Sequence, residues 1–191
     1  GVGKKAFRMR LPRAIMGDPS LRRVLGALAP HRALVVGGAV RNALLGEPVE
    51  DIDIATDARP GQVVDLARAA GLKPVPTGIE HGTVTVVADG RGFEVTTFRR
   101  DVETDGRRAV VAFSDRIEDD AARRDFTMNA LYAEPSGEVL DERNIGPALA
   151  ARDLAAQQHG GVDVQRVGGW GRRRVQGRPH RRQRMAQDLG G

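Results

Sequence analysis

The chain has 191 residues, of which 40% are apolar, enough for one domain with a core and an extension. It contains no cysteine, which excludes thiol catalysis, disulfides and cysteine-ligated zinc and suits a cytoplasmic protein. No apolar run approaches the roughly 20 residues that span a bilayer, so we expect no membrane partner. The net charge of +5 resides in the C-terminal part, because residues 1–143 carry 21 Lys and Arg against 22 Asp and Glu.

The first predicted element is an amphipathic helix. Residues 1–17 are predicted to be an N-terminal extension, and Asp18-Pro19-Ser20 then provides a helix start. The helix is expected to run to about Ala29. Its apolar residues fall on one face, which favours packing on a core over binding a partner: Leu21, Val24, Leu25 and Leu28.

A strand, a glycine turn and a second helix come next. Ala33 to Val36 is predicted to be a buried strand that ends at Gly37 and Gly38, and Gly38 to Leu45 has a helical apolar pattern. Such a turn presents backbone N–H groups to an anion, and Gly38 lets a phosphate approach closely. Arg41, in the first helical turn, has the planar fork that binds phosphate. The alternative is a turn chosen for backbone shape, with Arg41 solvated.

Two aspartates follow in a predicted strand, Asp51 to Ile54. Alternation places the carboxylates of Asp51 and Asp53 on one face and Ile52 and Ile54 on the other. Two like charges about 4 Å apart repel by roughly 4 kcal/mol at an effective dielectric near 20. Oxygen ligands of this kind suit Mg²⁺, which keeps water and substrate phosphates as its other ligands. The alternative is an exposed strand with solvated charges.

A further helix and a hairpin are predicted downstream. Pro60 to Ala70 has a helical apolar pattern, with Val63, Val64, Leu66, Ala67 and Ala70 facing the core. Thr83 to Val87 and Phe93 to Thr97 alternate as strands, and residues 89–92 mark the turn between them. Glu94 lies on the face opposite Phe93 and Val95. It is a candidate third carboxylate, although a solvated strand glutamate fits equally well.

A basic pair follows a short acidic helix. Glu118, Asp119 and Asp120 are expected to be helical, and Arg123 and Arg124 come directly before another helix start, where Asp125 or Thr127 provides the cap. Arginines in this position indicate a phosphate or base contact. An ordinary charged surface turn is the alternative.

Taken together, four motifs resemble a known family. GGAVRNALLG, DIDIAT, FEVTTFRRD and RRDFTMNALY, in this order between Leu34 and Leu140, resemble the catalytic head of bacterial CCA-adding tRNA nucleotidyltransferases and the related poly(A) polymerases of the DNA polymerase beta superfamily. The resemblance implies an α+β fold in which helices flank a small mixed β-sheet. It places the nucleotidyltransferase head domain at residues 18–143.

The resemblance also implies roles for individual residues. Asp51 and Asp53 would hold Mg²⁺, and Glu94 would complete the catalytic carboxylates. The incoming nucleotide would contact Gly37, Gly38, Arg41 and Arg124. Family members commonly have aspartate after the helix arginine, and Asn42 here removes one charge near the site. Arg99 to Ala112 would be the mobile loop of such enzymes.

The implied reaction is attack of an RNA 3′-hydroxyl on the α-phosphate of CTP or ATP, with release of pyrophosphate. The partner would be the 3′ end of tRNA, receiving or repairing its CCA sequence, or another RNA end. Two alternatives stay open: a poly(A) polymerase, and a non-catalytic nucleotide- or RNA-binding module.

The C-terminal segment, residues 144–191, has a different composition. It contains nine arginines and three aspartates and is rich in Gly and Gln, so we expect disorder beyond about His159. The helical neck that selects the base in the resembled enzymes is not recognisable after Asp141. Three explanations compete: a shift of reading frame that truncates the head, a genuine RNA-binding tail, or a diverged neck that still folds.

Overall fold

A seven-stranded sheet with helices on both faces makes up most of what the computed structural model describes, residues 9–102, 110–124 and 129–142. The helices are α1 (Arg13–Met16), α2 (Pro19–Leu28), α3 (Gly38–Leu44), α4 (Pro60–Ala69) and α5 (Ile117–Ala122), with a 3-10 turn at Ile79–His81. The strands are β1 (Ala33–Val36), β2 (Asp53–Thr56), β3 (Lys73–Gly78), β4 (Thr83–Ala88), β5 (Arg91–Thr97), β6 (Arg99–Val102), β7 (Val110–Phe113), β8 (Leu131–Ala133) and β9 (Val139–Asp141). The expected α+β class with a mixed sheet is confirmed.

Helix α2 begins where the sequence predicts. The Asp18 carboxylate accepts a 2.9 Å hydrogen bond from the Leu21 N–H, and Pro19 occupies the first helical position. All four apolar residues of the predicted face are buried. The segment before α2 also packs: Leu11 is buried, and the Leu11 N–H donates to the Gly137 carbonyl at 2.8 Å. The predicted N-terminal extension therefore contributes to the core from Met9 onward.

The order of the strands brings distant segments together. The sheet runs β3-β4-β5-β2-β1-β8-β9, and β2 pairs in parallel with β5 while its other neighbour, β1, is antiparallel. Asp53, the first residue of β2, is opposite Val36 on one side and Glu94 on the other. The end of the glycine-turn strand thus lies beside the start of the aspartate strand.

Both faces of the sheet are covered. On one face, Ile54, Val95 and neighbouring apolar side chains pack with residues of α2, α3 and α4. On the other, a smaller cluster joins the sheet to α5: Leu34, Val36, Ala55, Phe98, Ile117, Ala121, Ala130 and Tyr132. The rings of Phe98 and Tyr132 pack edge to face in this cluster, with centroids 6.5 Å apart.

Three local predictions need correction. Strand β2 begins at Asp53, so Asp51 precedes the strand and does not belong to its pleat. Helix α4 ends at Ala69, and Ala70 is exposed, because the chain turns away at Gly71 with φ +73°. The β4–β5 turn needs only Asp89 and Gly90, both with positive φ, while Arg91 and Gly92 already lie in β5.

The segment expected to be a mobile loop, Arg99 to Ala112, has paired ends. Strands β6 and β7 form a two-stranded antiparallel sheet with Arg99 opposite Phe113, so the expectation of a loop is wrong for these ends. Residues 103–109 lie outside the described residues, as do Asp125, Thr127 and residues 143–191. The predictions for the helix cap after Arg124 and for the C-terminal segment therefore stay predictions. Across the described ranges, no helix has the length and apolarity needed to cross a membrane.

Candidate active site

The glycine turn has a specific backbone requirement at each position. Gly37 has φ +76°, a backbone conformation that is unfavourable for residues with a side chain. The Gly37 N–H donates a hydrogen bond to the Leu131 carbonyl at 3.2 Å. Gly38 starts α3, and a Cβ placed there would lie 3.4 Å from the Arg41 Nη2. The Arg41 guanidinium therefore folds back over the beginning of its own helix. The structure brings Gly37, Gly38 and Arg41 together as the sequence predicted.

The acidic residues lie beside the glycine turn, because Asp53 is opposite Val36, the residue that precedes Gly37. Asp53 and Glu94 are in register on adjacent parallel strands, so their side chains project from the same face of the sheet. Ile52 and Ile54 are buried as expected, and both Asp51 and Asp53 are exposed. The orientation of Glu94, opposite the buried Phe93 and Val95, is confirmed.

The electrostatics of this group favour a cation. Partial burial of its carboxyl, then the negative charges of Glu94 and Asp51, raise the pKa of Asp53 above its ordinary value, and hydrogen bonding with Glu94 adds to the shift. The positive charge of Arg124 acts in the opposite direction. Asp53 is exposed at the rim, although the surrounding chain partly desolvates it. Asp53 thus experiences the negative charges of two neighbouring carboxylates, Glu94 and Asp51.

A cavity of about 430 Å³ opens beside them. Three of the predicted residues line it, namely Gly38, Asp51 and Asp53, together with Ala39, Asn42, Pro48, Val49 and Glu50. This volume is within the range of small-molecule sites. Asp51 faces the same cavity as Asp53 because the chain from Pro48 to Asp51 forms one of its walls. Asp51 and Asp53 are therefore neighbours because both line this cavity, and not because they share one face of a strand.

The carboxylate oxygens of this site suit Mg²⁺, which would take most of its ligands from water and substrate phosphates. Among the described residues there is no cluster of three or more His, Asp or Glu arranged to hold a metal ion. Mg²⁺ characteristically binds through one or two carboxylates and completes its octahedron with water and substrate phosphates. Asp51 and Asp53, at the rim of an open cavity, match that limited role.

Comparison with known proteins shows the family to which this domain belongs. Residues 33–155 match the family of poly(A) polymerase head domains, which covers more than half of the chain. The chain belongs to that family. The match begins at the first residue of β1 and includes the glycine turn, the carboxylates and Arg124.

Several relatives of the head domain are CCA-adding enzymes. That of Bacillus cytotoxicus is 48% identical over 126 residues, which are 65% of this chain and 31% of the relative. The Bacillus stearothermophilus CCA-adding enzyme in complex with CTP aligns with a TM-score of 0.60 at 38% identity, over 70% of this chain and 31% of that one. A tRNA nucleotidyltransferase complexed with a primer tRNA and an incoming ATP analogue aligns at 0.51 and 28% identity, over 68% and 36%. The chain thus spans about a third of the length of these proteins.

In this head domain, Arg124 is held by two residues to which the sequence assigned no role: Asp120, and Tyr132 at the end of the RRDFTMNALY motif. Its guanidinium is paired with the buried Asp120 and also bonded to the hydroxyl of Tyr132, whereas Arg123 is paired with Asp101. Two signals were available. Asp120 and Arg124 have the i, i+4 spacing of a helical ion pair, and Tyr132 is the single tyrosine of an apolar strand, where a buried hydroxyl needs a partner.

Asn42, which occupies the position where the resembled enzymes commonly have aspartate, makes two hydrogen bonds. Its Oδ1 accepts a 3.1 Å hydrogen bond from the Arg41 Nε, and its Nδ2 donates to the Pro48 carbonyl at 3.1 Å. An aspartate would accept the first bond but has no proton for the second. The amide therefore connects α3 to the cavity wall and holds the Arg41 side chain.

Proposed function

We propose that this chain transfers CMP and AMP from CTP and ATP to the 3′ end of tRNA, as the head of a CCA-adding nucleotidyltransferase. The 3′-hydroxyl oxygen loses its proton to solvent and forms a bond to the α-phosphorus, the bond from that phosphorus to the bridging oxygen breaks, and pyrophosphate leaves. The observation that carries the proposal is that Asp51 and Asp53 line one cavity together with Gly38, while Glu94 is in register beside Asp53. Because the chain spans about a third of its relatives, its activity on its own is part of the proposal.

The carboxylates would position the reacting groups. Asp51 and Asp53 are the residues that would hold Mg²⁺, and Glu94, in register with Asp53, would complete the set. When bound, Mg²⁺ supplies neutralisation of phosphate charge and polarisation of the attacking hydroxyl. The raised pKa of Asp53 supports this assignment, because a bound cation would offset both the partial burial of the carboxylate and its repulsion by Glu94 and Asp51.

The glycine turn and two arginines would hold the nucleotide. Gly38 lines the cavity at the start of α3, and the Arg41 guanidinium lies over that position, while the buried Gly37 shapes the turn before it. The charge of Arg124 opposes the raised pKa of Asp53, so this arginine would add a second positive charge at the site. Phosphoryl transfer depends mainly on positioning and charge neutralisation, which these groups supply.

Nucleotide addition to a tRNA lacking its 3′ CCA tests the proposal. With Mg²⁺ and CTP and ATP together, we expect addition of C, C and A, abolished by Asp53→Ala. Asp65→Ala, which removes an exposed carboxylate from α4, is the matched control and should leave addition unchanged. Addition unaffected by Asp53→Ala would refute the assigned site.

The same assay separates the two other functions. Untemplated runs of A on any RNA 3′ end, with no use of CTP, would indicate a poly(A) polymerase, the activity after which the matching family is named. Mg²⁺-dependent binding of CTP with no addition to any RNA would indicate a binding module.

A further inference from the structure

A buried network surrounds the guanidinium of Arg124. The Asp120 side chain is only 2% exposed, and its Oδ2 accepts hydrogen bonds from the Arg124 Nε at 3.0 Å and Nη2 at 2.9 Å. The Tyr132 hydroxyl donates to the same oxygen at 2.7 Å and accepts from the Arg124 Nε at 3.1 Å. The other carboxylate oxygen accepts from the Arg99 N–H at 3.2 Å. Asp120, Tyr132 and Arg124 are called the Asp120 network below.

The network lies beside the catalytic carboxylates. Tyr132 on β8 is opposite Val36 on β1, Val36 is opposite Asp53 on β2, and Asp53 is opposite Glu94 on β5. Side chains in register project from the same face, so the four form a row across four strands. Neighbouring strands are roughly 4.8 Å apart, which puts the Tyr132 and Asp53 backbones about 10 Å from each other.

Burial of the Arg124–Asp120 ion pair is not expected to stabilise the folded protein by much. A buried ion pair is commonly no more stabilising than apolar residues of the same volume, because both charges lose their hydration. The ion pair does fix the orientation of the arginine. A guanidinium that is hydrogen-bonded through its Nε edge keeps one orientation, so a ligand that binds the opposite edge would cause little further loss of side-chain entropy.

We propose that Asp120 and Tyr132 are positioning residues that hold the Arg124 guanidinium ready for the polyphosphate of a nucleoside triphosphate bound beside Asp53. The inference rests on the proposed function, since it takes the ligand to be a nucleoside triphosphate. Tyr132 acts through Arg124 and touches no reacting atom. The motif RRDFTMNALY contains both Arg124 and Tyr132, whereas Asp120 precedes the motif on α5.

Tyr132→Phe is the variant that tests positioning. It removes one hydroxyl and keeps the ring that packs on Phe98. Thr97→Val is the matched control, because it removes another buried hydroxyl, one that donates to the Ala58 carbonyl at 2.6 Å. Both variants of the full chain would be titrated by calorimetry with Mg²⁺ and either CTP or inorganic tripolyphosphate. Tripolyphosphate has no base or sugar, so it reports on phosphate contacts alone.

We expect Tyr132→Phe to weaken binding of both ligands by about tenfold, the usual effect of one lost hydrogen bond to a charged group. Thr97→Val should lose similar thermal stability and keep its affinity. In an Arg124→Ala background, Tyr132→Phe should cause no further loss of affinity, because its target is gone. Equal affinities in wild type and Tyr132→Phe would overturn the inference, as would a loss of the same size in Thr97→Val.

A measurement on the wild-type chain covers the case in which Tyr132→Phe does not fold. The Arg124 Nε–H resonance should be protected from solvent exchange and should shift on addition of tripolyphosphate. Exchange as fast as that of the exposed Arg22 would overturn the inference. Failure of the proposed function looks different, since wild type would then bind neither CTP nor tripolyphosphate.

Discussion

Replacing Asp53 by asparagine should stabilise the Mg²⁺-free protein while abolishing nucleotide addition. Asp53 and Glu94 are in register on neighbouring strands, and charges about 5 Å apart repel by roughly 3 kcal/mol at an effective dielectric near 20. Asp53 is exposed, so screening reduces this repulsion to about 1 kcal/mol. Asp53→Asn removes it and should raise the melting temperature by roughly 2–4 °C.

The effect of Asp53→Asn on stability should depend on pH. The folded state raises the pKa of Asp53, so folded protein binds its proton more tightly than unfolded protein does. The associated stability is present below the ordinary aspartate pKa of about 3.9 and is lost as the pH rises through the raised value. The advantage of Asp53→Asn should therefore be full at pH 7 and absent near pH 3.

Thermal unfolding followed by circular dichroism, in EDTA and then in Mg²⁺, is the assay. Mg²⁺ should stabilise wild type and leave Asp53→Asn almost unchanged, since the variant lacks a charged ligand. Asp65→Asn, on the exposed face of α4, is the control and should shift the melting temperature by less than about 1 °C. A variant less stable than wild type in EDTA at pH 7 would refute the argument from carboxylate repulsion.

Three further outcomes are expected. Gly37→Ala should cost about 1–3 kcal/mol in urea denaturation, because the backbone at φ +76° and ψ −134° is unfavourable for a residue with a side chain, whereas Gly61→Ala inside α4 should not destabilise. Asp120→Ala should cost about 3–5 kcal/mol, since it leaves the Arg124 charge unpaired; a loss under 1 kcal/mol would contradict a buried pair. Leu21→Ala should cost about 2–5 kcal/mol by opening a cavity in the fully buried α2 face, measured by the same denaturation.

The sequence alone determined the elements whose signals are local. The helix at Pro19, the strand at Ala33 and the β4–β5 hairpin each follow from a cap, an apolar run or a glycine turn within a few residues. The family motifs likewise named the glycine turn and the aspartates. Strand β3 had no such signal, because two prolines interrupt its pattern, and it is tolerated only as an edge strand.

Only the tertiary structure decided which distant groups meet. Nothing near Asp53 in the chain indicates that Glu94 lies opposite it, because that contact depends on a parallel pairing of β2 with β5. The motif RRDFTMNALY contains both Arg124 and Tyr132, but only the folded chain shows that the tyrosine hydroxyl accepts a hydrogen bond from the guanidinium. Local patterns are read from backbone preferences, whereas the register of a sheet is set by how all its strands bury their apolar faces together.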